Sequence, residues 1–287
     1  MTKLIFLSAF IAVLTASAGI NAGQKRPPLT LHWEKNILTI SSDKLPGREM
    51  KILYLEAYCR PNAHTTDWST HTVIGHKTEL ISVNNSQTEI KLRDTLKDGV
   101  IVDHVITAKS DEVDFRLVAH NPTNKVSEAH WAQPCVRVGE FTGTVDPKRS
   151  ETYEYLKKSF IFLDDKLCLM PTKDWATEAR YTPGQVWAAP GISPEDVNPR
   201  PLNPNHPSNG LIGCFSADDK MIFATAWQPY HELFQGVITC LHSDFRLGGL
   251  KPGETRRIHG KIYFLKNDVP VLLERYAKDF PKHDNQE

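Results

Sequence analysis

Alternation of side-chain character with a period of two runs through most of this chain, and it restricts the fold more than any other feature. In KILYLEAYCR, Ile52, Tyr54, Glu56 and Tyr58 alternate with Leu53, Leu55, Ala57 and Cys59. Successive side chains of an extended strand point to opposite faces, so such a run predicts a strand. LTLHWEKNILTI predicts two strands around Glu34, Lys35 and Asn36. TELISVN and TEIKLRDTL predict a pair, and VIVDHVITAK with EVDFRLVAHN a hairpin. After Asn121-Pro122 come HWAQPCVRV, SFIFLDDKLCLM, LIGCFSADDKMIFATAW, GVITCLHS and RRIHGKIYFL. At this spacing the chain holds roughly 13 to 16 strands. Without alternating helices they form a mostly β fold, a large antiparallel β-sandwich rather than a parallel α/β sheet.

Helical pattern is confined to two places. DPKRSETYEYLKKS predicts a short helix with Asp146 as cap and Pro147 at its first position. DVPVLLERYAKDF places Val269, Leu272, Leu273, Tyr276 and Phe280 on one face of a C-terminal helix behind Asp268.

The first 22 residues carry Lys3, an apolar run from Leu4 to Ala18, and small residues at Ala16, Ala18 and Ala22. The run is shorter than the roughly 20 apolar residues of a membrane span. It reads as a cleaved signal peptide, so the protein is expected to be secreted or periplasmic and free of the membrane after cleavage. Residues 23–287 then form one domain. Lysine plus arginine equals aspartate plus glutamate at 34 each, which gives no footprint for nucleic acid. The five cysteines form no C-x-x-C pair and lie in apolar strand-like runs, so buried free thiols are expected. No H-E-x-x-H, phosphate loop or G-x-S-x-G elbow is present, and neither a metal nor another cofactor is expected.

Residues 181–210 break the rhythm with seven prolines. A stretch this long without alternation is expected to be a covering loop, ordered by Trp187, Arg200, Asn203, Asn205 and His206.

Two segments carry a resemblance. EVDFRLVAHNPTNKVSEAHW and LGGLKPGETRRIHGKIYF, in this order, are similar to segments of the galactose-mutarotase-like superfamily, which includes aldose 1-epimerases. The resemblance implies an antiparallel β-supersandwich and carbohydrate as the partner. It also implies a base and an acid that open and reclose a sugar ring. By the resemblance His130 holds the position of the first family histidine. The catalytic glutamate expected before L-K-P-G-E is missing, and Cys240-Leu241-His242-Ser243-Asp244 stands there. His242 or Asp244 is the candidate replacement, and His206 is the nearest counterpart of a second family histidine.

The residues themselves suggest where a sugar would bind. Trp131, Gln133, Cys135 and Arg137 share one strand face, which joins an indole for packing on a sugar ring to amide and guanidinium donors for its hydroxyls. AWQPYHELFQ adds Trp227, His231 and Glu232, and Arg246 shares a face with His242 and Asp244. A carboxylate beside a histidine orients it and raises its basicity. His130 and His242 are expected to open onto one cavity. Three readings stand at this point: an epimerase-like enzyme using His130 with His242 or Asp244, a non-catalytic carbohydrate-binding protein, and an exported structural or partner-binding protein.

Overall fold

The alternating runs become seventeen strands among the described residues of the computed structural model, which are 29–63, 67–144, 154–174, 184–236 and 239–281. In chain order the first nine are β1 (Thr30–Glu34), β2 (Ile37–Ser41), β3 (Glu49–Cys59), β4 (Val73–Ile74), β5 (His76–Val83), β6 (Glu89–Leu96), β7 (Ile101–Ala108), β8 (Glu112–His120) and β9 (Trp131–Arg137). Two short helices follow, α1 (Gly139–Thr142) and α2 (Glu154–Lys158). The remaining strands are β10 (Ser159–Leu163), β11 (Lys166–Leu169), β12 (Val186–Ala188), β13 (Ile212–Phe215), β14 (Met221–Gln228), β15 (Tyr230–Gln235), β16 (Cys240–Arg246) and β17 (Thr255–Lys266), before α3 (Val269–Asp279). The excess over the expected number comes from very short strands such as β4 and β12, which have too few residues to show a period.

Both sheets are antiparallel. One runs β1-β2-β3-β9-β16-β15-β12, with β4 beside β3, and the other runs β11-β10-β13-β14-β17-β8-β7-β6-β5. The predicted hairpins form in register. Glu34 pairs with Ile37 across Lys35 and Asn36, whose φ angles of 51° and 61° make the tight left-handed turn that matches strand twist. The inward faces meet in one apolar core that includes Leu38, Ile52, Leu92, Phe115, Val136 and Leu241. The outer face of the second sheet packs on α3, where Leu272 and Phe280 are buried and Val269, Leu273 and Tyr276 join the same cluster. Asp268 caps this helix through Val271 N–H, as its sequence position predicts.

The outer face of the first sheet would present a polar surface to water if it were bare. Over β15, β12 and the ends of β9 and β16 residues 189–206 lie across it instead, and Val197 packs on Phe234, Val186 and Ala188. The proline-rich stretch is therefore an ordered cover, and it also contributes β12, which pairs with β15 at the sheet edge. Residues 1–22, Asp146 and Pro147, on which the leader and the helix cap were expected, lie outside the described residues.

Candidate functional site

Three segments far apart in sequence become neighbours because β9 lies between β3 and β16. On β9, Ala132 and Val136 enter the core, so Trp131, Gln133 and Cys135 face the cover. On β16, Leu241 and Phe245 enter the core, which turns Cys240, His242, Asp244 and Arg246 to the same outer face. On β15, Glu232 pairs with Asp244 and Phe234 with His242. The face is polar and yet buried: Gln133, Glu232, His242 and Asp244 are all within the 2 % exposure of a core residue.

A proline sets the geometry of the centre. Pro134 brings no N–H to the ladder, although β9 is an interior strand. Opposite it β3 leaves register: Leu53 pairs with Cys135 and Ala57 with Gln133, so Tyr54, Leu55 and Glu56 stand against Pro134 alone. Such an excursion re-aims side chains. Tyr54 and Tyr58 stay between the sheets, bonded to His104 and Asp94. Glu56, which plain alternation places on their face, turns to the other side and lines a cavity with Gln133, Cys135, Phe234, Cys240 and His242. Asn198 and Arg200 of the cover close that cavity, whose volume is about 70 Å³.

His242 sits at its wall. The imidazole stacks on Phe234 at 4.2 Å, and Nδ1 is 3.4 Å from Asp244 Oδ1. Nε2 is 3.6 Å from Cys240 Sγ and 3.9 Å from Glu56 Oε2. Burial alone would keep His242 neutral; Asp244 and Cys240 beside the ring outweigh it and raise its pKa to about 10. Burial raises Asp244 to about 6, against the pull of His242. Glu232 is pushed well above the usual carboxylate range by burial and by the neighbouring Asp244. Burial opposes ionisation of Cys240, but Cys135 and His242 together hold its thiol well below the ordinary value.

A second cluster lies toward the other end of the same face, centred on Asp196 of the cover. His130 Nδ1 lies 3.0 Å from one Asp196 carboxylate oxygen, and Arg246 reaches the same oxygen at 3.4 Å. His231 Nε2–H donates to the Asp196 carbonyl, and its Nδ1 accepts from Arg246 at 3.1 Å. The ring stacks on Trp131 at 5.2 Å, nearly parallel. Both nitrogens are thus committed, and burial depresses the His231 pKa to about 3.

Several expected site residues fall elsewhere. His130 does not line the His242 cavity; its carbonyl bonds Leu247 N, five residues beyond His242 along the neighbouring chain, about 16 Å at strand rise. The two histidines are held in separate clusters because antiparallel pairing puts the start of β9 against the end of β16. Arg137 borders a different recess with Glu49, Lys51 and Glu140. Trp227 belongs to the inter-sheet core, packed on Phe115 and Phe245, since β14 lies in the other sheet. His206 is exposed and bonds the Ala188 carbonyl. Arg246 does not pair with Asp244; it turns to Asp196 and His231, and Asp244 serves His242. Sequence reading missed Glu56, Asp196 and Phe234 as site residues. The one signal for Glu56 was a charge in the middle of an apolar strand. All five cysteines are free, with Cys168 only half-buried.

No protein-family model matches the chain, and no curated protein does. Among solved structures it is similar to a presumptive aldose 1-epimerase from Escherichia coli K12, at 11 % identity over 83 % of this chain and 99 % of the other, with a TM-score of 0.45. It is also similar to a galactose mutarotase-like protein from Lactobacillus casei ATCC 334, at 6 % identity over 82 % and 99 % of the two chains, with a TM-score of 0.41. A protein from Synechocystis sp. PCC 6803 matches at 8 % identity over 90 % and 99 %, with a TM-score of 0.46. No residue role is carried over from these proteins. The two antiparallel sheets and the short C-terminal helix make the chain a mostly β sandwich.

Proposed function

We propose that the covered face of the first sheet acts on a carbohydrate, with Glu56 moving the proton and the His242 side of the cavity meeting the sugar oxygen. The observation that carries this reading is the pair itself: a half-exposed carboxylate and a buried imidazole face each other across 3.9 Å on one cavity wall. Asp244 Oδ1 stands 3.4 Å from His242 Nδ1, on the side of the ring away from Glu56. Gln133 and Arg200 offer the amide and guanidinium that bond hydroxyls. Trp131, Trp187 and Trp227 are buried, and Trp68, half-buried, borders the cavity with the indole face that packs on a sugar ring.

At about 70 Å³ the cavity is tight for a pyranose while Asn198 and Arg200 stand over it. Entry of a sugar therefore requires residues 198–200 to lift. The test is a monosaccharide and glycan screen by ligand-observed NMR, followed by turnover of each hit by wild type and Glu56→Gln. We expect the variant to keep binding and lose about 10²–10⁴-fold in turnover, the usual worth of a positioned proton-transfer group. Absence of any sugar ligand, or equal turnover by Glu56→Gln, rejects the reading.

A further inference from the structure

We propose that Cys135, Cys240 and His242 bind one thiophilic divalent metal ion, zinc first among them, with Glu56 beside its open position. The three ligand atoms, each from a buried residue, lie within 4.8 Å of one another. With zinc–sulfur bonds near 2.3 Å and zinc–nitrogen bonds near 2.0 Å, a tetrahedral site separates S from N by about 3.5 Å. Cys240 Sγ and His242 Nε2 are 3.6 Å apart. The Glu56 oxygen, at 3.9 Å from Nε2, is about half an ångström beyond the corresponding N–O edge, so it stands beside the open fourth position, within reach of a water held there, rather than in it.

Three further features fit an ion. Asp244 lies on Nδ1, which leaves Nε2 as the ligand atom, the usual carboxylate–histidine–metal arrangement. Two thiolates and a neutral imidazole cancel a charge of 2+, the balance that a buried place requires. The backbone also makes room. A Cβ on Gly236 would stand 2.0 Å from Cys240 Sγ and 3.0 Å from His242 Nε2, so only glycine leaves this side of the cluster open.

The ligands come from two strands and the neighbouring carboxylate from a third, so no short sequence motif announces the site. The inference deepens the proposed function and rests on it for the ion's role, which is to polarise the sugar oxygen while Glu56 handles the proton. Binding of the ion does not depend on that role.

The protein is purified without an affinity tag that binds metal, and its metal content is measured. Chelated protein is then titrated with cobalt(II). We expect about one metal per chain and a thiolate-to-cobalt charge-transfer band, reduced by roughly half in Cys135→Ser and in Cys240→Ser because each removes one of two sulfur ligands. Asp244→Asn keeps the band and weakens metal affinity about 10–100-fold. Should a cysteine variant not fold, alkylation of wild type decides: zinc must protect Cys135 and Cys240 together. A Cys135–Cys240 disulfide in the unreduced protein, no charge-transfer band, or unprotected thiols overturns the proposal. Metal binding without sugar turnover leaves this inference standing and removes the proposed function; turnover by metal-free protein removes the ion's role in that function and leaves its binding to the cobalt titration.

Discussion

At the scale of the residue, His231 shows how position alone assigns a protonation state. Its ring stacks on Trp131, donates to the Asp196 carbonyl and accepts from Arg246, so a second proton has nowhere to go. Burial lowers its pKa from 6.5 to about 3. Between these values the unfolded chain binds a proton that the folded chain refuses. The contribution of His231 is whole above pH 6.5 and is lost as pH falls toward 3, at up to about 1.4 kcal/mol per pH unit. We expect His231→Phe to keep the stack and lose the two hydrogen bonds, with a cost of about 1–3 kcal/mol at pH 7. Denaturant titrations should show that cost shrinking as pH drops from 6.5 to 4. A pH-independent difference would mean that His231 is already charged in the fold.

At the scale of the element, α3 is fastened to the second sheet by charge as well as by its apolar face. Arg275 reaches Asp111 at 2.8 Å and also bonds Glu112, while Lys261 Nζ lies 2.7 Å from Glu112. Burial opposes the charge on Glu112, but Lys109, Lys261 and Arg275 hold its pKa down to about 2. The stability that this network supplies is complete above about pH 4.5, the unfolded value, and disappears as pH falls toward 2. Arg275→Met removes the cation from Asp111, from Glu112 and from the face of Tyr263, and keeps an apolar side chain of similar reach. Thermal melts at pH 7 and pH 3 should show a clear loss at pH 7 and a smaller one at pH 3. An equal loss at both would place the role of Arg275 in packing.

At the scale of the molecule, the second sheet buries the inner face of the first, and residues 189–206 cover its outer face over β15, β12 and the ends of β9 and β16, while the outer face of β1 and β2 stays open to water. The cover is held at its ends by backbone bonds of Ala189, Pro201 and Asn203 to β15 and β12 and by His206 on the Ala188 carbonyl, whereas its apolar footing is only Ile192, Val197 and Leu202 around Phe234, with Asn198 N–H on Glu232, Arg200 over Phe234 and the cluster around Asp196. A segment with so small an apolar footing opens at a lower free energy than the sheet beneath it. The double variant Val197→Ser, Arg200→Ser should therefore speed alkylation of Cys240 in metal-free protein by more than about tenfold, with the main unfolding transition little changed. An unchanged alkylation rate would show that access to the cavity does not run through the cover.

How much of this was written in the alternation can be traced residue by residue. Period two made the strands legible, and KN at 35–36 made a turn legible, because both depend on neighbours along the chain. The helix α3 was legible from five apolar positions and one cap for the same reason. Facing of Gln133 with Cys135, and of His242 with Asp244, also followed from parity. Glu56 did not, because a proline on another strand breaks the parity of its own strand and turns it over. The pairing of β9 with β16 decided that His130 and His242 stand apart, and it decided that Cys135 meets Cys240. Local sequence determined the strands, their faces and the sandwich class. Which strands lie side by side is a matter of packing between residues far apart in the chain, and only the tertiary structure settled which of the polar side chains share a site.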